Sequence, residues 1–132
     1  MFHRRHFIAA ASALAIAPLL AVPAFAADAK KFDARAFEAA QAAGKSIIVE
    51  VHADWCPVCT KQKPVSAQLR ARPEFAKAEF FVVDFDTQKD ALTRFKVARQ
   101  STLLAFRGKT ETSRSTGVTD PAEIEKLFKS AL

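Results

Sequence analysis

The chain holds both of its cysteines two residues apart, in Trp55-Cys56-Pro57-Val58-Cys59, directly after the apolar run Ser46-Ile47-Ile48-Val49-Glu50-Val51-His52. A strand that ends there and feeds a helix places Cys56 at the helix N-terminus. Free N–H groups and the positive dipole end favour a thiolate at that point. The thiolate is the nucleophile of disulfide exchange, and such settings lower a cysteine pKa from about 8.5 to roughly 3.5–7.5. Cys59, one turn further along, is then within reach of the Cys56 sulfur, so the pair can close a disulfide and reopen it.

Three other uses of the pair compete with a redox role. A structural staple gains little, because closing so short a loop removes little unfolded-chain entropy. A closed zinc site takes four Cys or His ligands, and beyond the pair there are only His3, His6 and His52. Two inert, buried cysteines remain conceivable, although a helix start beside Trp55 is an odd place for them.

The elements that must position the pair can be read from caps and periodicity. Asp33 to Ala43 predicts a helix that turns Phe37 and Ala40 inward and stops at Gly44. Ser46 to His52 predicts a buried strand and Cys56 to about Arg70 a helix, kinked where Pro64 offers no N–H to the Thr60 carbonyl. A short turn over Pro73 to Ala78 precedes an apolar strand, Phe80 to Phe85, that lacks alternation, as a strand covered on both faces does. Lys89 to Phe95 predicts a shorter helix, and Thr102 to Arg107 with Glu111 to Thr116 a hairpin around Gly108-Lys109. Asp120 as N-cap, Pro121 and Glu123 open a last helix that runs to Leu132.

Glu50 lies inside the strand that leads to the cysteines. Flanked by Val49 and Val51, its carboxylate is desolvated and uncompensated, unless it reaches solvent at the strand's end. Its pKa should rise toward the range useful for proton transfer. His52, two residues on, faces the same side and reads as packing.

The N-terminus carries Met1-Phe2-His3-Arg4-Arg5-His6, an apolar stretch from Phe7 to Leu20, and the small-x-small site Ala24-Phe25-Ala26. That pattern predicts a secretory signal peptide over 1–26, cut after Ala26. Arg4-Arg5-His6-Phe7-Ile8 also resembles the twin-arginine export signal. Pro18 and Pro23 interrupt the apolar run, so no membrane anchor is expected after cleavage. Residues 27–132 suffice for one domain with one sizeable core. The net charge of +6 comes from basic residues interleaved with acids and without an aromatic platform, a solvated surface that excludes nucleic-acid binding as the expected role.

With the pair and its elements in order, the chain resembles the thioredoxin family over most of residues 27–132. The resemblance is carried by Val49-Glu50-Val51-His52-Ala53-Asp54-Trp55-Cys56-Pro57-Val58-Cys59, by Pro64 and by Val83-Asp84-Phe85-Asp86. Thr102-Leu103-Leu104-Ala105-Phe106-Arg107-Gly108-Lys109 and Gly117 continue it. Ala53-Asp54-Trp55-Cys56 is also similar to the C-terminal domain of the periplasmic electron-transfer protein DsbD. The resemblance implies a thioredoxin-like α/β fold, with a central mixed sheet of about four strands flanked by helices. It makes Cys56 the attacking and Cys59 the resolving cysteine, with Glu50 as the proton acceptor for Cys59. Substrate would be met by Trp55, Pro57 and Val58 and by the loop residues Gln100, Ser101 and Thr102.

One position departs from the family. Where thioredoxins carry a cis-proline facing the disulfide, this chain reads Arg99-Gln100-Ser101-Thr102. A cis bond before Ser costs about 2.5–4 kcal/mol, so a trans bond is expected. In the family that loop pairs with substrate backbone and keeps metal from the cysteines.

The expected protein is a monomeric, periplasmic thiol:disulfide oxidoreductase without cofactor. It acts on protein disulfides and is recharged by a DsbD-like membrane electron donor. Pro57-Val58 lacks the histidine found between the cysteines of strongly oxidising relatives, which favours a reductase. The alternative is a periplasmic carrier that holds Cu(I) on the same cysteines, with His52 as a further ligand.

Overall fold

In the computed structural model, which describes residues 28–132, capping residues set the helix limits that position the cysteine pair. Asp33 precedes α1 (Ala34–Ala42) and its carboxylate accepts the Ala36 N–H at 2.8 Å. At the other end Gly44 takes φ +69°. Its N–H reaches the Gln41 carbonyl, and that of Lys45 reaches the Ala40 carbonyl, both at 3.0 Å. This double closure needs a left-handed residue, which glycine supplies without a Cβ penalty. The signal peptide expected over 1–26 lies outside the described residues.

Five strands form one mixed sheet in the order β1-β3-β2-β4-β5. They are β1 (Lys30–Lys31), β2 (Ser46–His52), β3 (Glu79–Asp84), β4 (Thr102–Arg107) and β5 (Thr110–Thr116). The central strand β2 runs parallel to β3 and antiparallel to β4, with Val51 opposite both Val83 and Thr102. The hairpin turn brings Gly108 against α1's end, where its N–H donates to the Lys45 carbonyl at 2.8 Å. A Cβ on Gly108 would meet the Gly44 Cα at 3.3 Å, so a side chain there would push the turn off the helix end.

Helices cover both faces. α1 and α3 (Lys89–Phe95) pack on one side, where Phe32, Phe37, Phe81, Phe95 and Phe106 meet Ile47, Val49 and Val51. Their rings contact edge-to-face or tilted, with centroids 5.1–6.1 Å apart. α2 (Pro57–Arg70) and α4 (Pro121–Lys129) cover the other side. There Leu69, Ile124, Leu127 and Phe128 meet Ile48, Phe80, Leu103 and Ala105. α4 starts as the sequence predicts, with the Asp120 carboxylate accepting the Glu123 N–H at 3.3 Å. Helix α2 continues through Pro64 to Arg70, the proline depriving only the Thr60 carbonyl of its donor.

Candidate functional site

Strand β2 ends at His52, and the chain turns through Ala53 to Trp55 before α2 begins. Cys56 is the N-cap of that helix. Its backbone N–H bonds the Ala53 carbonyl and its sulfur accepts the Cys59 N–H, both at 3.1 Å. The Cα atoms of Cys56 and Cys59 are 5.3 Å apart and their sulfurs lie within disulfide-bonding distance. Pro57 occupies the first helical turn, where its missing N–H costs nothing. A negative charge on Cys56 would therefore face an N–H already aimed at it and the positive end of a 14-residue helix.

Both cysteines are buried, at 1 % and 2 % exposure, against Ala53, Val58 and Phe85. Trp55 stands out beside them at 58 % exposure. Its indole N–H donates to the Asp86 carboxylate at 2.9 and 3.2 Å, and its ring meets Phe85 edge-on. The tryptophan is thus an exposed apolar plate fixed in orientation at the rim of the pair.

Beneath the pair lies a cavity of ≈ 370 Å³ whose walls include Cys59, Glu50, His52, Gln62, Lys63 and Arg70. The pleat explains the first of these neighbours: Ile47, Val49 and Val51 turn to the phenylalanine core, so Glu50 and His52 turn to α2. Burial pushes the Glu50 carboxyl above the usual carboxylate range, against the opposing pull of Ser66, Arg70, His52 and Lys63. The Ser66 hydroxyl itself is buried without a well-formed hydrogen bond. The expectation of an uncompensated carboxylate needs correction. Arg70 Nη1 lies 3.1 Å from Glu50 Oε2, with the two side chains 19 % and 14 % exposed. His52 Nε2 is buried without a hydrogen bond, although Asp54 Oδ1 lies 3.3 Å away.

The predicted loop residues are held tightly. All described peptide bonds are trans, the one before Ser101 included, and Ser101 takes φ +56°. Its N–H donates to the Val51 carbonyl at 2.9 Å, and its carbonyl accepts from the Gly117 N–H at 3.0 Å and from Gln62 Nε2 at 3.2 Å. Gln62 Nε2 also reaches the Val118 carbonyl at 2.8 Å. The Thr102 hydroxyl spans the Arg99 carbonyl and the Thr116 hydroxyl at 2.8 and 3.0 Å. Gln100 is half-buried between these anchors.

The structure therefore gathers Glu50 and Cys59 around one cavity, sets Trp55, Pro57 and Val58 at the helix start, and pins Ser101 and Thr102 beside the end of β2. Among the described residues, no three His, Cys, Asp or Glu side chains gather as a metal cluster. Sequence reasoning missed Arg70, Gln62 and Ser66. Their signal was spacing: Cys59, Gln62, Ser66 and Arg70 fall at i, i+3, i+7 and i+11, one stripe of α2 that faces β2.

A family model described as Thioredoxin matches residues 28–130. The crystal structure of Trxlp from Edwardsiella tarda is 40 % identical, with a TM-score of 0.74 over 76 % of this chain and 98 % of that one. Thioredoxin-1 of Saccharomyces cerevisiae is 28 % identical over 92 residues, which cover 70 % of this chain and 86 % of the yeast protein. A peptide-N(4)-(N-acetyl-beta-glucosaminyl)asparagine amidase of Caenorhabditis briggsae is 30 % identical over 63 % of this chain, but the match spans only 14 % of that much longer protein.

Proposed function

The chain belongs to the thioredoxin family and is a thiol:disulfide oxidoreductase with a Cys-x-x-Cys pair; on that premise we propose that it is an exported reductase of protein disulfides. Thioredoxin-family proteins act on such substrates, and the observation that carries the reading is the N-cap position of Cys56, with its sulfur accepting the Cys59 N–H.

The Cys56 thiolate attacks one sulfur of the substrate disulfide. A bond forms between Cys56 and that sulfur, while the other substrate sulfur leaves as a thiolate and takes a proton from solvent. Cys59 passes its proton to the Glu50 carboxylate and attacks the Cys56 sulfur. The second substrate sulfur leaves as a thiolate and is protonated from solvent, Glu50 returns its proton to solvent, and a Cys56–Cys59 disulfide remains. Two electrons have gone to the substrate, and a donor must return them. Ala53-Asp54-Trp55-Cys56, similar to the DsbD C-terminal domain, supports a DsbD-like membrane protein in that role. The basic, apolar and small-residue succession over 1–26 supports export to a periplasm.

Trp55, Pro57 and Val58 form the substrate-facing rim, with Gln100, Ser101 and Thr102 opposite. Ser101 stands in for the family's cis-proline. Its N–H is already given to Val51, so substrate backbone must find its partners elsewhere on this loop.

Reduced protein is expected to accelerate insulin reduction by dithiothreitol, and Cys56→Ser to return the rate to background. A wild-type rate equal to background overturns the reading.

A further inference from the structure

A groove of ≈ 390 Å³ lies between the end of α3 and the β4–β5 hairpin, with Lys96, Arg99, Thr102, Arg114 and Thr116 among its walls. We propose that this groove binds acidic side chains that flank the disulfide of a polypeptide substrate, so that the enzyme prefers acidic substrate segments. The proposal rests on the oxidoreductase reading and names the substrate class of that same site.

Its position follows from the sheet register. Thr102, in the groove wall, is paired with Val51 on the central strand, and the chain reaches Cys56 five residues later. Neighbouring strands lie about 4.8 Å apart, so the groove opens at the same end of the sheet as the cysteines, one strand over. Thr102 and Arg114 oppose Val51 and Leu104 of the phenylalanine core, so the groove lies on the face that α3 covers, and a polypeptide reaches it by crossing this end of the sheet from the pair toward β4 and β5.

The charge is one-sided. No carboxylate lines the groove. The Arg114 guanidinium is already engaged, with the Phe95 and Lys96 carbonyls at 2.7 and 3.2 Å and with Glu111 Oε1 at 2.6 Å. It braces the wall and leaves little charge over. Lys96 and Arg99 are exposed, and among the described residues neither side chain enters an ion pair or a hydrogen bond. The opposite flank of the pair is mixed, with the exposed Asp54 and Asp86 beside a Lys89 ammonium 4.8 Å from the Phe85 ring centroid, whereas the groove carries basic side chains without acids.

Both free cations spring from fixed backbone. Lys96 holds the left-handed C-cap of α3 at φ +53°, its carbonyl bonded by Arg114. The Arg99 carbonyl accepts the Thr102 hydroxyl. Little backbone ordering remains to be done when an acidic segment arrives, which preserves the attraction between opposite charges. Each exposed ion pair is worth roughly a two- to fivefold factor.

The test uses two peptides with an internal disulfide, identical but for two Glu or two Lys beside the cysteines, reduced by the reduced wild-type protein. The expected kcat/KM favours the Glu peptide by about three- to tenfold at low ionic strength, and the preference fades at about 1 M salt, where charges are screened within a few ångströms. Lys96→Glu/Arg99→Glu should reverse the preference, and Arg99→Glu alone should halve it or more. Both variants should keep the wild-type rate on uncharged hydroxyethyl disulfide. Equal kcat/KM for the two peptides, or a preference that survives the double reversal, overturns the groove while leaving the oxidoreductase reading intact. No reduction of either peptide or of hydroxyethyl disulfide overturns that reading, and the groove's role with it.

Discussion

The two faces of β2 are built from opposite materials. Toward α1 and α3 it presents Ile47, Val49 and Val51 to five phenylalanines, with the Thr102 hydroxyl at the edge of that layer tied to the Arg99 carbonyl and the Thr116 hydroxyl. Toward α2 it presents Ile48 to the apolar layer of Leu69, Phe80 and Leu103, then Glu50 and His52 to a cavity walled by Gln62, Lys63 and Arg70. One strand thus separates a dry aromatic layer from a face on which a polar cavity, lined by both Glu50 and Cys59, interrupts the apolar packing. The pleat makes this possible, since adjacent residues face opposite ways, so a carboxylate can be inserted at every second position without entering the aromatic core.

The sharpest way to break the comparison is to damage the dry face. Phe37 is 2 % exposed and its ring meets four others. Phe37→Ala should lower stability by about 3–5 kcal/mol, as a large aromatic truncation in a core does. Denaturant unfolding measures the loss. The protein that remains folded should reduce insulin at the wild-type rate per molecule; a fall in that rate would show the aromatic layer to shape the site.

The polar face should respond the other way. Glu50→Gln keeps the shape of the side chain but cannot take the Cys59 proton. Resolution of the mixed disulfide should slow by about 10²-fold near neutral pH, with the first attack by Cys56 nearly unchanged. Stopped-flow separation of the two steps decides this, and resolution at the wild-type rate would leave Glu50 a structural partner of Arg70. The raised pKa of Glu50 also fixes a sign. The folded state holds this proton more tightly than the unfolded chain, so the stability it contributes is complete below the unfolded carboxylate pKa and is lost as pH rises through the folded value. Relative to wild type, Glu50→Gln should gain stability as pH rises through that window, less whatever Arg70 loses with its partner.

The dry face was largely legible in the sequence. Phe37 and Ala40, the strand at Ser46 to His52 and the helix at Lys89 to Phe95 follow from apolar spacing and from Gly44, because packing demands those patterns. The polar face was legible only in its cysteines and Glu50. Lys63, Ser66 and Arg70 are polar residues on a helix, and although Ser66 and Arg70 share the stripe of Cys59, their spacing alone does not say that α2 packs over β2 and sets them near a carboxylate 13 to 20 positions away. Strand β1 escaped for a similar reason. Lys30-Lys31 carries no apolar signal and is held by pairing with Phe81 and Val82, with the Lys30 ammonium 2.6 Å from Glu79.

The smallest expected effect sharpens the comparison at the edge of the polar face. Ser101 is a buried non-glycine residue at φ +56°, a conformation that costs an L-residue roughly 1–2 kcal/mol. Such strain collects at functional positions rather than in aromatic cores. Glycine would relieve it, while adding about 0.5–1 kcal/mol of unfolded-state freedom. Ser101→Gly should therefore stabilise the protein by about 0.5–1 kcal/mol, read as a rise of a few degrees in Tm. The bonds from Val51, Gly117 and Gln62 to the Ser101 backbone remain available, so the loop should keep its place. If the hydroxyl serves substrate, KM for a polypeptide disulfide should rise while the rate on hydroxyethyl disulfide stays unchanged. A lower Tm would instead show that the Ser101 side chain holds the loop in place, its packing offsetting the strain.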